Sequence, residues 1–395
     1  MSSRTHSSRF GLSVVTAACL VLGLGTASAQ ASADTARLRA RVELEALADG
    51  AATWPYDLNE HGVVVGEAAV PAGPAHAVRW GRSALVTDLG AVDGLDTRAV
   101  AVNERGTSTG YYDVYGLPRA VRWSTSGAVS RLDSLSGAPP SSSISIPTGL
   151  AEDDTVIGYA TAADTTTHSV RWDRLGRVHD LGVLPGGWDS VPYGINAAGT
   201  VVGFSSSADS RPHAVRWDSA DRIFELGSIA GQTASWALAI GNDGGIAGFA
   251  IAGARTTAVR WDGAGAVTEL APLPGHEAGT AVGRNAVGTV IGTSVGEPHI
   301  RAVRWDRRGR VTALDTLPGG SDDRPTGIND SGVVSGQATQ AGRQIAVSWD
   351  RRGHIATLPV PPDASGSGAL GVNDEGVIVG VYEGLDGQSH AVVWR

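Results

Sequence analysis

The chain has 395 residues, 31 basic against 40 acidic, and every basic residue is an arginine. That acidic balance, without basic runs, argues against nucleic acid or an anionic membrane surface as partner. Its one cysteine, Cys19, excludes a disulfide framework.

Taken in chain order, the first 29 residues read as a secretory leader. Arg4 and Arg9 precede an apolar run over residues 10–25, and Ala27-Ser28-Ala29 offers a small-residue cleavage site. The run is too short and too glycine-rich to span a membrane, and no later segment approaches the necessary length. Residues 30–37 read as a short disordered lead. Removing Arg4 and Arg9 with the leader leaves 29 basic against 40 acidic residues, a charge of −11 on an exported chain without cysteine.

A tryptophan then returns as Trp80, Trp123, Trp172, Trp217, Trp261, Trp305, Trp349 and Trp394, at steps of 43 to 49 residues. A fixed period of this size marks a repeat architecture. The fourth copy is the cleanest. Residues 191–196 and 200–205 read as strands around the turn Ala197-Ala198-Gly199. The variable linker 206–211 leads to a third strand, 213–218, and a short turn returns the chain into a fourth, 223–226. Helical periodicity and helix caps are absent, so the fold class is all-β.

Turn chemistry supports this pattern. Gly62, Gly106, Gly199, Gly244, Gly288, Gly332 and Gly376 hold one place in the first turn, where a positive φ is expected. An asparagine stands three residues earlier in six copies, placed to bond its own turn. The third copy has Glu152-Asp153-Asp154 instead, which predicts a looser turn. A leucine follows the tryptophan by nine residues from Leu89 through Leu358. A four-residue second turn would set Val170 opposite Leu181 and Arg171 opposite Asp180, giving a ring of structural arginine–carboxylate pairs.

The two chain ends complement each other. The last repeat stops at Trp394-Arg395 without its fourth strand, while residues 41–47 carry Leu44-x-x-Leu47, the fourth-strand pattern of Leu181-x-x-Leu184. This predicts an eight-bladed propeller over residues 38–395, each blade a four-stranded antiparallel sheet, closed by an N-terminal strand that completes the last blade. The repeat, seen in Gly194–Gly203, His213–Trp217 and Asp180–Gly187, resembles the extracellular HAF-repeat family, with valine replacing phenylalanine in the name-giving motif. The resemblance implies secretion and a propeller-like fold, and brings no catalytic residues with it.

Function belongs where the copies differ. The second-to-third loops and the blade-to-blade loops share one face, opposite the short turns, and that face gathers the aromatics outside the repeat. Trp54, Trp188 and Trp236 lead into first strands, with Tyr56 and Tyr193 within them. Tyr111, Tyr112, Tyr115 and Tyr382 lie in or beside second-to-third loops, and Asp189, His276, Glu277, Asp322 and Asp323 add polar groups. Aromatic rings beside carboxylates suit a glycan or a cationic ligand, and they also suit plain packing between unequal blades. The expected function is a secreted binding module for an extracellular polymer; the alternative is a lyase or hydrolase with its site at the channel mouth. No HExxH, P-loop, G-x-S-x-G or paired-cysteine spacing occurs, so no cofactor or metal is expected.

Overall fold

A computed structural model describes residues 40–49 and 51–395. The leader, Cys19 and the lead at 30–37 lie outside the described residues. Within them, 32 strands build eight four-stranded antiparallel sheets, and no helix occurs. The first strands of successive blades touch one another around a full circle, blade 8 against blade 1, and so form the wall of a central channel. The fold is an eight-bladed β-propeller.

Closure follows the expected strand exchange. Arg41–Glu43 pairs antiparallel with Ser389–Trp394, with Arg41 opposite Trp394 and Glu43 opposite Val392. Ala40 and Arg395 exchange backbone hydrogen bonds of 2.8 and 3.0 Å. The strand itself ends at Glu43 rather than Leu47, but Leu44 still donates to Ala391 O at 2.9 Å, as Leu226 does to Ala214 O. The N-terminal segment therefore occupies a fourth-strand position residue for residue.

The repeat tryptophans carry the packing. All eight indoles are at most 1% exposed, sandwiched with valines and with the leucine of the preceding blade, as in the cluster of Leu181, Val201, Val215 and Trp217. Each indole N–H also looks for an acceptor, since burying it unpaired is costly. Trp80 donates to Glu45 O, Trp261 to Gly227 O and Trp394 to Pro359 O, all at 2.7 Å and all across a blade boundary. Trp123 is the exception, with no acceptor among the described residues.

The expected arginine–carboxylate pairs do not form. The second turn is one residue shorter than expected, with five residues between the paired Trp172 and Val178, so Arg171 faces His179, Arg216 faces Phe224, and Val170 faces Asp180. Leu181 falls in a bulge between Asp180 and Gly182. The tighter turn is held by its aspartate, which accepts two backbone N–H groups, as Asp218 does from Ala220 and Arg222 at 2.9 and 3.0 Å. The arginines remain structural but reach forward. Arg79 donates to Gly106 O and Thr125 O, and Arg122 to Asp154 O and Arg174 O, each on the next blade. The freed carboxylates hold the motif histidines instead: His76 with Asp88 at 3.0 Å, His168 with Asp180 at 2.9 Å, His213 with Glu225 at 2.8 Å. In blade 8 the partner of His390 is Glu43, from the closing strand, at 3.2 Å.

The asparagines do more than bond their own turns. Asn59 Oδ1 accepts Val63 N–H, while its Nδ2 donates to Asn103 O on the next blade at 2.9 Å. Asn329 donates to Asn373 O, and Asn373 to Asn59 O, which carries the girdle across the closure. The third-copy turn is not looser. Asp154 adopts φ 70°, a region aspartate tolerates, and the turn keeps bonds of 2.8 and 3.1 Å between Ala151, Thr155 and Asp154. Blade 5 departs further, with Gly241 in the asparagine place. A Cβ there would run into Arg284 Nη1. Arg284 stands where other copies have Leu, Ile or Val, and its guanidinium, 6% exposed, pairs with Asp243 at 2.6 Å. One salt bridge thus replaces one link of the girdle.

Candidate functional site

The first strands share a distortion that shapes the channel wall. Each is interrupted by a bulge after its third conserved position, as between Pro55 and Asp57 or Ala237 and Ala239. The opposing residue is always glycine, because a Cβ at Gly66 or Gly248 would collide with the carbonyl of Trp54 or Trp236. Strand and partner approach this closely only where no side chain intervenes. Three rows of side chains result: the residue before the glycine pair, the bulge residue, and the residue after the glycine on the second strand.

Around the ring, those rows are chemically uneven. Across the boundary of blades 1 and 2, Tyr56 Oη donates to Glu67 at 2.8 Å, and Glu67 accepts from Arg98 Nε at 2.6 Å. Arg98 Nη1 in turn donates to Tyr111 Oη at 3.1 Å, with the guanidinium 5.9 Å from that ring. Burial, reinforced by Glu67, raises the Tyr56 phenol well above its ordinary value. Across blades 4 and 5 the equivalent places hold Tyr193, Phe204, Trp236 and Phe249. Their centroids follow at 6.1, 6.4 and 4.8 Å, the last pair stacked at 20°. These rings are half-buried rather than sealed. Blades 6 and 7 carry Thr280, Thr293, Arg324 and Gln337, and blade 8 carries Gly368.

Below this belt, toward the short turns, lies a cavity of about 270 Å³ lined by Tyr56, Asp57, Arg284, Ile328 and Leu370 among others. Asp57 occupies a place that is alanine or glycine in the other blades. Burial pushes its carboxyl up to about 6, against hydrogen bonds from Val102 N–H and Leu58 N–H that favour the charged form.

The sequence-predicted residues separate into three groups. Tyr56, Tyr111, Tyr193, Trp236 and Trp54 belong to the inner belt; Trp54 and Trp236 are inside their strands, which begin earlier than expected. Trp188 and Tyr115 stand on variable-face loops, 50% and 93% exposed. The Trp188 loop is held firmly, since Trp188 and Asp189 both donate backbone N–H groups to Ser206 Oγ at 2.8 and 2.9 Å. Burial raises the Asp189 carboxyl above its usual range. His276 meets Ser294 Oγ at 3.1 Å, and Glu277 is exposed beside it.

The third group lies inside blade contacts. Tyr112 and Tyr382 are 8% and 5% exposed, packed where other copies have alanine or serine. Asp322 accepts Ile300 N–H at 3.0 Å. Asp323 is fully buried because it fills a place that Ser or Thr holds in six other copies and Gly279 in the seventh, where Thr97 and Ser235 accept N–H groups from the preceding blade. Burial pushes Asp323 up to about 6, with Thr316 donating to it at 2.6 Å and Arg301 3.8 Å away. Sequence reasoning missed Glu67, Arg98, Phe204, Phe249, Asp57 and Arg324. For Asp57 a signal was available, since its place is alanine or glycine in the other copies; the others lie at places whose residue varies from blade to blade.

No protein-family model matches this chain, and no curated protein matches it. Among solved structures it is similar to puromycin hydrolase, with a TM-score of 0.52, 15% identity, and coverage of 85% of this chain and 59% of that one. It is also similar to virginiamycin B lyase from Staphylococcus aureus (0.46, 12% identity, 74% and 93% covered). A third is the β-propeller domain of the Trilobed protease from Pyrococcus furiosus (0.48, 12% identity, 80% and 98% covered). This chain spans only 59% of the puromycin hydrolase chain. At these identities the likeness is one of fold alone.

Proposed function

We propose that the chain is an exported binding module for an extracellular glycan, which it takes at the inner belt and the variable mouth of the channel. The observation that supports this reading best is the row Tyr193, Phe204, Trp236 and Phe249, half-buried and continuous across two blades. Sugar rings present one apolar face and an equatorial fringe of hydroxyls. Half-buried aromatics meet the first need, and the Tyr56–Glu67–Arg98–Tyr111 network offers donors and acceptors for the second. The exposed indole of Trp188 would extend that surface outward over a loop that needs no ordering on binding. The leader at residues 1–29 supports an extracellular site of action.

A hydrolase or lyase needs an acid and a base converging on one bond. The two carboxyls held near 6, Asp57 and Asp323, belong to blades 1 and 7 and to opposite ends of their strands, and each is engaged by local donors. That placement favours binding over turnover. The test is a panel of soluble oligosaccharides and insoluble polysaccharides, with retention and product release both measured. Trp236→Ala combined with Trp188→Ala should abolish retention while leaving the melting temperature close to wild type. Product release by the wild-type protein, or retention unchanged in the double variant, would overturn the proposal.

A further inference from the structure

Arg324 is the exception in the inner belt. It lies mid-strand in Gly320–Ile328, the innermost strand of blade 7, paired along one edge with Gln337. A residue so placed can be exposed only toward the channel, and Arg324 is exposed, as is Thr326 two residues on. The two other arginines of the first strands are neutralised: Arg98 by Glu67 at 2.6 Å and Arg284 by Asp243 at 2.6 Å. Among the described residues, the Arg324 guanidinium has no hydrogen-bond or ion-pair partner. In a chain with more acidic than basic residues, a channel-facing guanidinium without a carboxylate is an unspent charge.

Its surroundings are donor-rich. Gln337 stands opposite it, and the Thr280 and Thr293 hydroxyls, 2.7 Å apart, lie on the neighbouring blade. Blade 8 contributes Gly368, where a Cβ would come within 2.7 Å of Gln337 Nε2, so the wall beside Arg324 has no side chain from that blade. We propose, building on the glycan-binding reading, that the ligand enters end-on and that a single terminal carboxylate, that of a uronate, is held by Arg324. A planar guanidinium fork matches a carboxylate in a way an amide cannot. The restriction to one charge comes from the rim. Asp164, Asp209 and Asp386 lie in the variable-face loops, with Asp113 near the end of the strand Ser108–Val114, and would repel a long polyanion.

The experiment is calorimetric titration of the whole protein with short oligosaccharides ending in galacturonate, glucuronate or mannuronate. Each is paired with its carboxyl-reduced twin and with a long polyuronate. The expected result is that one acid binds at least about tenfold more tightly than its reduced twin and more tightly than the long polymer per chain end. Arg324→Gln should bring the acid down to the affinity of the twin, and Arg324→Lys should retain part of the preference; a charge-assisted contact of this kind supports such a change. Both variants should melt with wild type, because Arg324 holds no partner in the fold. Equal affinity for acid and twin, or an unchanged preference in Arg324→Gln, overturns the inference. Should neutral sugars bind in a Trp236-dependent way while acids gain nothing, the glycan reading stands and the role of Arg324 falls. If no sugar binds, both fall.

Discussion

Blades 5 and 6 share a paired exception whose energetics can be measured directly. Gly241 and Arg284 both depart from the repeat, and the space for an asparagine side chain at 241 is filled by the Arg284 guanidinium. Gly241→Asn alone must displace that group, which is 6% exposed and bonded to Asp243 at 2.6 and 2.8 Å and to Gly245 O at 3.0 Å. Overpacking costs about 1–3 kcal/mol, and the displaced arginine loses bonds as well, so about 3 kcal/mol is expected. Arg284→Ile alone leaves a gap beside Gly241, but Asp243 is 54% exposed and stays hydrated, so about 1–2 kcal/mol is expected. The double variant restores the asparagine and the aliphatic residue of the other copies together and should lie within about 1 kcal/mol of wild type. The coupling is then about 3–5 kcal/mol, read from urea unfolding of the four proteins by tryptophan fluorescence. Single effects that add to within about 0.5 kcal/mol would show that the two exceptions are independent, and the substitution argument would be refuted.

Three further outcomes are expected. Trp217→Ala should cost about 3–5 kcal/mol, as truncation of a large core aromatic does, and a melting curve near wild type would contradict the packing described for Val201, Val215 and Leu181. Removing residues 41–47 takes away the closing strand and the Glu43 partner of His390, leaving Ser389–Trp394 as an open edge; lower stability and aggregation should follow, and a soluble monomer melting unchanged would count against closure by exchange. Stability should also fall as pH rises through the neutral range. His168 is raised above 6.5 chiefly by its hydrogen bond to Asp180, and His213, despite burial, by bonds to Asp209 and Glu225. Groups raised in the folded state stabilise it fully below their unfolded value and lose that contribution as pH passes the folded one. His168→Gln with His213→Gln should therefore lower the melting temperature at pH 5.5 and leave it almost unaltered at pH 8.5; an equal loss at both pH values would rule out protonation as the cause.

Much of the ring was legible because repetition multiplies weak signals. Eight tryptophans in one phase, a leucine nine residues after seven of them, and complementary termini specify blade number and closure together. Register across the second turn was not legible, because one residue fewer in an aspartate-capped turn leaves no mark on hydrophobic alternation yet shifts every partner by one. The histidine–carboxylate spacing of twelve, as in His76 and Asp88 or His213 and Glu225, was the available clue to the true partners. The belt was partly legible. Its aromatics stood out as residues foreign to the repeat, but the bulge that brings Tyr56 beside Glu67 and Tyr193 beside Phe204 cannot be read from alternation.

A ring built from copies faces a particular difficulty as a binding surface, since equivalent positions would present a ligand with eight equivalent orientations. The chain resolves this where its packing permits variety. At the tryptophan place each indole fills a closed space between blades, and all eight copies agree. At the place before the glycine pair the copies vary instead, reading Trp54, Arg98, Ile146, Val191, Trp236, Thr280, Arg324 and Gly368. The result is an ordered circle: a hydrogen-bonded sector at blades 1 and 2, an aromatic sector at blades 4 and 5, and a donor-rich sector at blades 6 and 7. On the proposed binding reading, such an order would give a ligand spanning the mouth one orientation and not eight. It places the apolar contact and the free cation in different sectors, so a ligand that satisfies both must present its planar face and its charge in a fixed relation. Specificity of that kind needs no catalytic group, only a rigid frame that keeps unlike side chains at fixed angles, and the hydrogen-bonded girdles between blades provide the frame.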